Sequence, residues 1–155
     1  MLPDAAIDAV WRITNHPGTL VEGWYDDIVA SITPHQYVEL VGIVAGMNAV
    51  DRFADALDLD HLRLPPPRPG APSQEGPDAV VTTHWVPTVE RGGSNVLAAL
   101  SAVPTAWASS RPIASAHYVP EDKVVGDLSW NRGILSRPQI ELAAAVTSFA
   151  NDCFY

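Results

Sequence analysis

Two side chains in the last twenty residues of this 155-residue chain carry reactive chemistry. Glu141 is the one acid inside an otherwise apolar helical stretch, and Cys153 is the sole cysteine. A thiolate is a nucleophile and a positioned carboxyl moves protons, so the lone acid and the lone thiol are where chemistry is expected. Their spacing sets a condition. A straight helix rising about 1.5 Å per residue would hold them roughly 18 Å apart, beyond direct proton transfer. The helix must therefore end and the chain must turn before Cys153. Asn151 and Asp152 are turn formers and N-caps, so they predict a turn and a new helix with Cys153 in its first turn. The positive end of such a helix favours a thiolate. A carboxyl partly covered by Ile140 and Leu142 is expected to have a raised pKa and to pass protons near neutral pH. The structural alternatives are a first-turn glutamate that stabilises its helix through the dipole, and a cysteine that fills space as a small hydrophobe.

The elements that must position these residues read as helices. Ser136 followed by Gln139, with Pro138 in the first turn, marks the start of the terminal helix. Residues 4–14 form a helical pattern with Ala6, Val10 and Ile13 on one face, stopped by Asn15-His16-Pro17-Gly18. From about Thr19, Leu20, Trp24, Ile28 and Ile32 recur at four-residue spacing, with Trp11 and Trp24 expected in the core. Thr33-Pro34-His35-Gln36 is a capping box that opens a helix carrying Tyr37, Leu40, Val41, Val44 and Met47. Gly42 and Gly46 on that helix predict the close approach of another.

Six prolines between residues 64 and 77 exclude helix and central strand, and predict an extended connection between two helical halves. Residues 79–86 are too short to establish a sheet, and Trp85-Val86-Pro87 is expected to pack against helices. A short helix is predicted over 95–103, capped by Ser94 or Asn95, and another over 105–118 that Pro112 kinks or splits. Residues 120–133 read as a polar loop. The fold class is all-α: one domain, with an N-terminal half over 1–63, a connection over 64–93 and a C-terminal half over 94–155. A short echo between Glu39-Leu40 with Val44, Met47 and Asp51 and Glu141-Leu142 with Val146, Phe149 and Cys153 suggests duplication, and chance similarity of two amphipathic helices competes with it.

Composition narrows the functional classes. Apolar residues are 47% and charged ones 17%, enough to bury a core without staples. Eighteen acids against nine bases give a net charge of −9, which repels nucleic acid and anionic lipid. A single cysteine excludes an internal disulfide, and Val38–Val50, interrupted by Glu39, is too short to span a bilayer. With no basic leader before an apolar run, the expectation is a soluble cytoplasmic protein. His16, His35, His61, His84 and His117 show no paired spacing on one helix, so no metal site is predicted. There is no phosphate-binding Gly-rich loop and no Gly-x-Ser-x-Gly elbow.

Glu141, the twelve-residue step to Cys153 and the run Asn151-Asp152-Cys153-Phe154-Tyr155 resemble the carboxymuconolactone decarboxylase and alkylhydroperoxidase AhpD-like superfamily, most of all its peroxidase-related branch. Tyr37-Val38-Glu39-Leu40-Val41, Arg52-Phe53-Ala54, Leu64-Pro65-Pro66-Pro67 and Trp85-Val86-Pro87 extend the resemblance from about Trp11 to Tyr155. It implies an all-α AhpD-like fold of two related halves, assembly as a homo-oligomer, and reduction of hydroperoxides with electrons from a thiol reductant, without metal, flavin or haem. Carried over by position, Cys153 is the resolving thiol of a Cys-x-x-Cys motif and Glu141 the proton relay. The motif's second thiol, which attacks the peroxide, and its following histidine have no counterpart in these 155 residues. A reading frame ended at a selenocysteine codon, as in the branch's Cys-x-x-selenocysteine members, would account for that. Two alternatives stay open: a lactone decarboxylase that needs no cysteine pair, and a non-catalytic helical oligomerisation or binding module.

Overall fold

The computed structural model describes residues 2–67, 69, 78–89, 95–124 and 126–153. The protein is all-α. Its helices are α1 (Asp4–Asn15), α2 (Glu22–Val29), α3 (Pro34–Ala56), α4 (Asn95–Ala98), α5 (Pro104–His117), α6 (Glu121–Val124) and α7 (Arg137–Ala150), with a 3₁₀ turn at Pro17–Thr19. Among the described residues the only β pairing is two isolated bridges, Val80 with Thr88 and Arg132 with Leu135.

The longest helix, α3, organises the packing. Thr33 Oγ1 accepts from Gln36 N–H while Gln36 Oε1 accepts from Thr33 N–H, the reciprocal cap anticipated at that site. On one side α3 meets α1 and α2, where Ala6, Ala9, Tyr25, Ile28, Ile32 and Tyr37 are buried together. Tyr25 and Tyr37 meet edge to face at 5.0 Å, and burial pushes the Tyr37 phenol up to about 12. On the other side α3 meets α5, and Val38 joins Ala102 and Val103 in a second buried cluster. Gly42 explains how the two helices come so near. A Cβ at Gly42 would lie 3.0 Å from the Ala106 Cβ.

Several local expectations need correction, while the packing of Trp85-Val86-Pro87 and the irregular start of the Pro-rich connection are as expected. Trp11 is 54% exposed, and Trp24 is half-buried with its indole N–H donating to Asp8 Oδ2 at 2.8 Å. The four-residue spacing found the right face of the second segment, where Ile28 and Ile32 are buried and Trp24 packs against them, whereas on α1 the buried residues are Ala6 and Ala9. The second helix begins at Glu22, since Pro17-Gly18-Thr19 forms the 3₁₀ turn first. Only Asn95–Ala98 is helical in the 95–103 segment, and Ser94 lies outside the described residues. Pro112 stands inside α5 without splitting it. The supposed loop at 120–133 contains α6. Trp85 stacks on Tyr25 at 6.2 Å, Val86 packs against both core clusters and Pro87 is buried. Of the Pro-rich connection, Leu64 to Pro67 are exposed and irregular, and 68 and 70–77 lie outside the described residues.

No single described helix is long and apolar enough to cross a membrane. The pair α2 and α3 passes only together and is bent by 112°.

Candidate functional site

The site is built on α7. Its start is tied by Gln139 Oε1, which accepts from both the N–H and the hydroxyl of Ser136, each at 2.9 Å. One turn in, Glu141 stands four residues after Arg137, so both side chains lie on the same flank of the helix. The Arg137 Nε–H donates to Glu141 Oε1, and the Tyr118 hydroxyl donates to Glu141 Oε2 at 2.5 Å. The three side chains form one cluster linking the end of α5 to the first turn of α7.

Arg137 is the anchor of that cluster. It is 6% exposed, and its guanidinium also donates to Lys123 O at 2.8 Å and Val124 O at 3.0 Å, the carbonyls at the end of α6. A second arginine does the same for α5: Arg132 Nη2 donates to Ser115 O at 2.8 Å and Tyr118 O at 3.0 Å. Helix C-termini leave carbonyls without intrahelical partners and carry partial negative charge, so a guanidinium satisfies them in both respects.

These partners reverse the electrostatic expectation for Glu141. The Tyr118 hydrogen bond, followed by that of Arg137, holds its carboxyl below the usual range, and these outweigh the opposing effect of burial. Tyr118 is pushed the other way, chiefly by burial and then by the hydrogen bond to Glu141. At neutral pH the pair is therefore a carboxylate and a phenol, with both carboxylate oxygens occupied. Accepting a proton from elsewhere requires one of those bonds to open first.

Cys153 sits at the far end of the same helix. Asp152 N–H donates to Phe149 O at 3.3 Å and Cys153 N–H to Ser148 O at 3.0 Å, with Asp152 in the left-handed region at φ +52°. This is a Schellman stop, built here on aspartate where glycine is usual. The expected turn at Asn151 and Asp152 is present, but α7 runs unbroken to Ala150. Nine residues of helix, about 13 Å of axial rise, separate Glu141 from that end, so the turn comes too late to bring the two together. Cys153 is exposed, is not in a disulfide, and lies just past the carbonyl end of α7. The new helix expected to hold Cys153 in its first turn falls outside the described residues, which end at Cys153. The turn itself is docked: a Cβ at Gly18 would come within 2.4 Å of Asp152 Cβ, so the 3₁₀ turn after α1 meets the end of α7.

Neither a family model, a curated protein nor a solved structure matches this chain.

Arg137 and Tyr118 are the site residues that sequence reasoning missed. The i, i+4 spacing of Arg137 and Glu141 was a readable signal of their pairing. Tyr118, twenty-three residues before Glu141, gave none. Among the described residues no group of three or more His, Cys, Asp or Glu is arranged to hold a metal ion.

Proposed function

We propose that this protein is an AhpD-like peroxidase that reduces hydroperoxides through a thiol or selenol pair to which Cys153 contributes the resolving thiol. The observation that carries the reading is an exposed thiol, outside any disulfide, on a docked turn at the end of the helix that bears Glu141. In this reading the attacking thiolate or selenolate comes from outside residues 1–155. It takes the distal oxygen of the peroxide, breaking the O–O bond and releasing an alcohol, and becomes a sulfenic or selenenic acid. The Cys153 thiolate then attacks that sulfur or selenium, forming an S–S or Se–S bond and releasing water. Two equivalents of thiol reductant return the pair to its reduced form. The proton that leaves the Cys153 thiol ends on the hydroxide released in that step, giving the water, because Glu141 stands too far along α7 to take it directly. The reading places the protein in the cytoplasm as a homo-oligomer.

The test uses the product of the native gene from its own host, checked for selenium. Exposure to cumene hydroperoxide should produce a disulfide or selenenyl sulfide at Cys153 by mass spectrometry, and Cys153→Ser should abolish turnover with dithiothreitol. Peroxide turnover that survives Cys153→Ser, or a Cys153 that stays reduced, would sink the proposal.

A second reading, a helical oligomerisation module without catalysis, has one observation in its favour. Leu142, Val146 and Phe149 share one face of α7 and are 65%, 58% and 85% exposed. An apolar stripe of that kind is characteristic of a helix that binds another surface. An oligomer that persists in a protein with no peroxide chemistry would favour this reading.

A further inference from the structure

The face of α7 opposite that stripe is lined with small residues, and they leave space. Between the end of α5, the turn at Arg132–Leu135 and α7 lies a cavity of about 460 Å³. Its apolar wall is Leu135, Ile140 and Ala144, and its polar end is His117, Tyr118 and Arg132. No acid lines it, although the chain has eighteen acids against nine bases.

The state of Arg132 distinguishes this cavity from a packing defect. A guanidinium has five N–H donors. Nη2 serves the carbonyls of Ser115 and Tyr118, whereas Nε is buried with no hydrogen-bond partner. Trp130 lies over the group at 5.3 Å, which supports a cation without neutralising it. No carboxylate among the described residues pairs with it. The nearby carboxylate of Glu141 is already taken by Arg137 and Tyr118. A partly buried guanidinium compensated only by the partial charge of the α5 end, with Nε unpartnered beside an apolar wall, is costly, and an anion that brings its own apolar tail relieves both conditions at once. The net charge of the protein opposes such a ligand only at long range, since charges beyond about 8 Å are largely screened at physiological ionic strength.

We propose that this cavity is a binding site for a small amphipathic carboxylate, with Arg132 and His117 at the head group and Leu135, Ile140 and Ala144 along the tail. The site is independent of the peroxidase reading, because neither Cys153 nor the carboxylate of Glu141 takes part.

The probe is sodium hexanoate, titrated calorimetrically into the full chain, with 1-hexanol and inorganic phosphate as controls. Hexanoate should bind saturably, and each control should bind at least about tenfold more weakly, the value of one charge-assisted hydrogen bond or of the apolar tail. Ala144→Phe, which fills the cavity and keeps Arg132, should weaken hexanoate by a similar factor. Arg132→Gln should do the same, but it also removes the α5 cap, so Ala144→Phe is the deciding variant. Absence of saturable binding, hexanol equal to hexanoate, phosphate equal to hexanoate, or an Ala144→Phe protein that binds normally would each overturn the proposal.

Discussion

Tyr118 and Glu141, twenty-three residues apart, share a hydrogen bond of 2.5 Å that fastens the end of α5 to the first turn of α7. It is also the largest influence lowering the Glu141 pKa. Because the folded value lies below the unfolded one, about 4.3, the stabilisation is present above that pH and is lost as pH falls through the folded value. Tyr118→Phe should therefore lower Tm at pH 7 by about 3 °C, corresponding to about 1 kcal/mol for a charged hydrogen bond on a carboxylate that is 42% exposed. The difference between variant and parent should shrink below pH 4. Melting curves from pH 3 to 7 check this, and a difference that does not vary with pH would refute the assignment.

Arg137 and Arg12 both pair with an acid four residues away on their own helix, in opposite orders, but in different surroundings. The Arg12 side chain is 43% exposed beside Asp8, while that of Arg137 is 7% exposed and holds the end of α6 as well. Exposed pairs contribute little, whereas removing one partner of a buried network strands the others. Arg137→Met should lower Tm clearly more than Arg12→Met. Equal effects would mean that Arg137 does not anchor the loop.

Two glycines within helices should respond oppositely to alanine. Gly23 has nothing within 4 Å of an added Cβ, so Gly23→Ala should stabilise by about 0.5 kcal/mol through helix propensity alone. At Gly42 the new Cβ meets the Ala106 Cβ at 3.0 Å, and alanine has no rotamer to move away. Gly42→Ala should destabilise by about 1 kcal/mol as overpacking outweighs propensity. Denaturant titration gives both signs, and stabilisation at Gly42 would show that α3 and α5 separate readily.

The core and the outer stripe should also divide under truncation. Val38 is 1% exposed between α3 and α5, so Val38→Ala should cost about 2 kcal/mol from lost burial and the cavity left behind. Leu142→Ala, at 65% exposure, should stay within about 0.5 kcal/mol for the monomer. A large loss at Leu142 that depends on protein concentration would instead show that α7 is covered by a second copy.

The helical class, the capping box at Thr33 and the stop after Ala150 were legible in the sequence, because each depends on residues within a turn or two of one another; Gly42 marked a close approach, but not that Ala106 of α5 makes it. The cap is a relation between Thr33 and Gln36, and the stop needs only Asn151 and Asp152. What could not be read was whatever depends on partners distant in the chain. Glu141 read as a carboxyl raised by burial, since Ile140 and Leu142 were its visible neighbours. Tyr118 and a buried Arg137 turned that shift downward. Trp11 read as core because apolar spacing identifies a face without saying which residues on it the neighbouring helix will cover. Local chemistry decided where helices begin and end, and tertiary packing decided which charges they bring together.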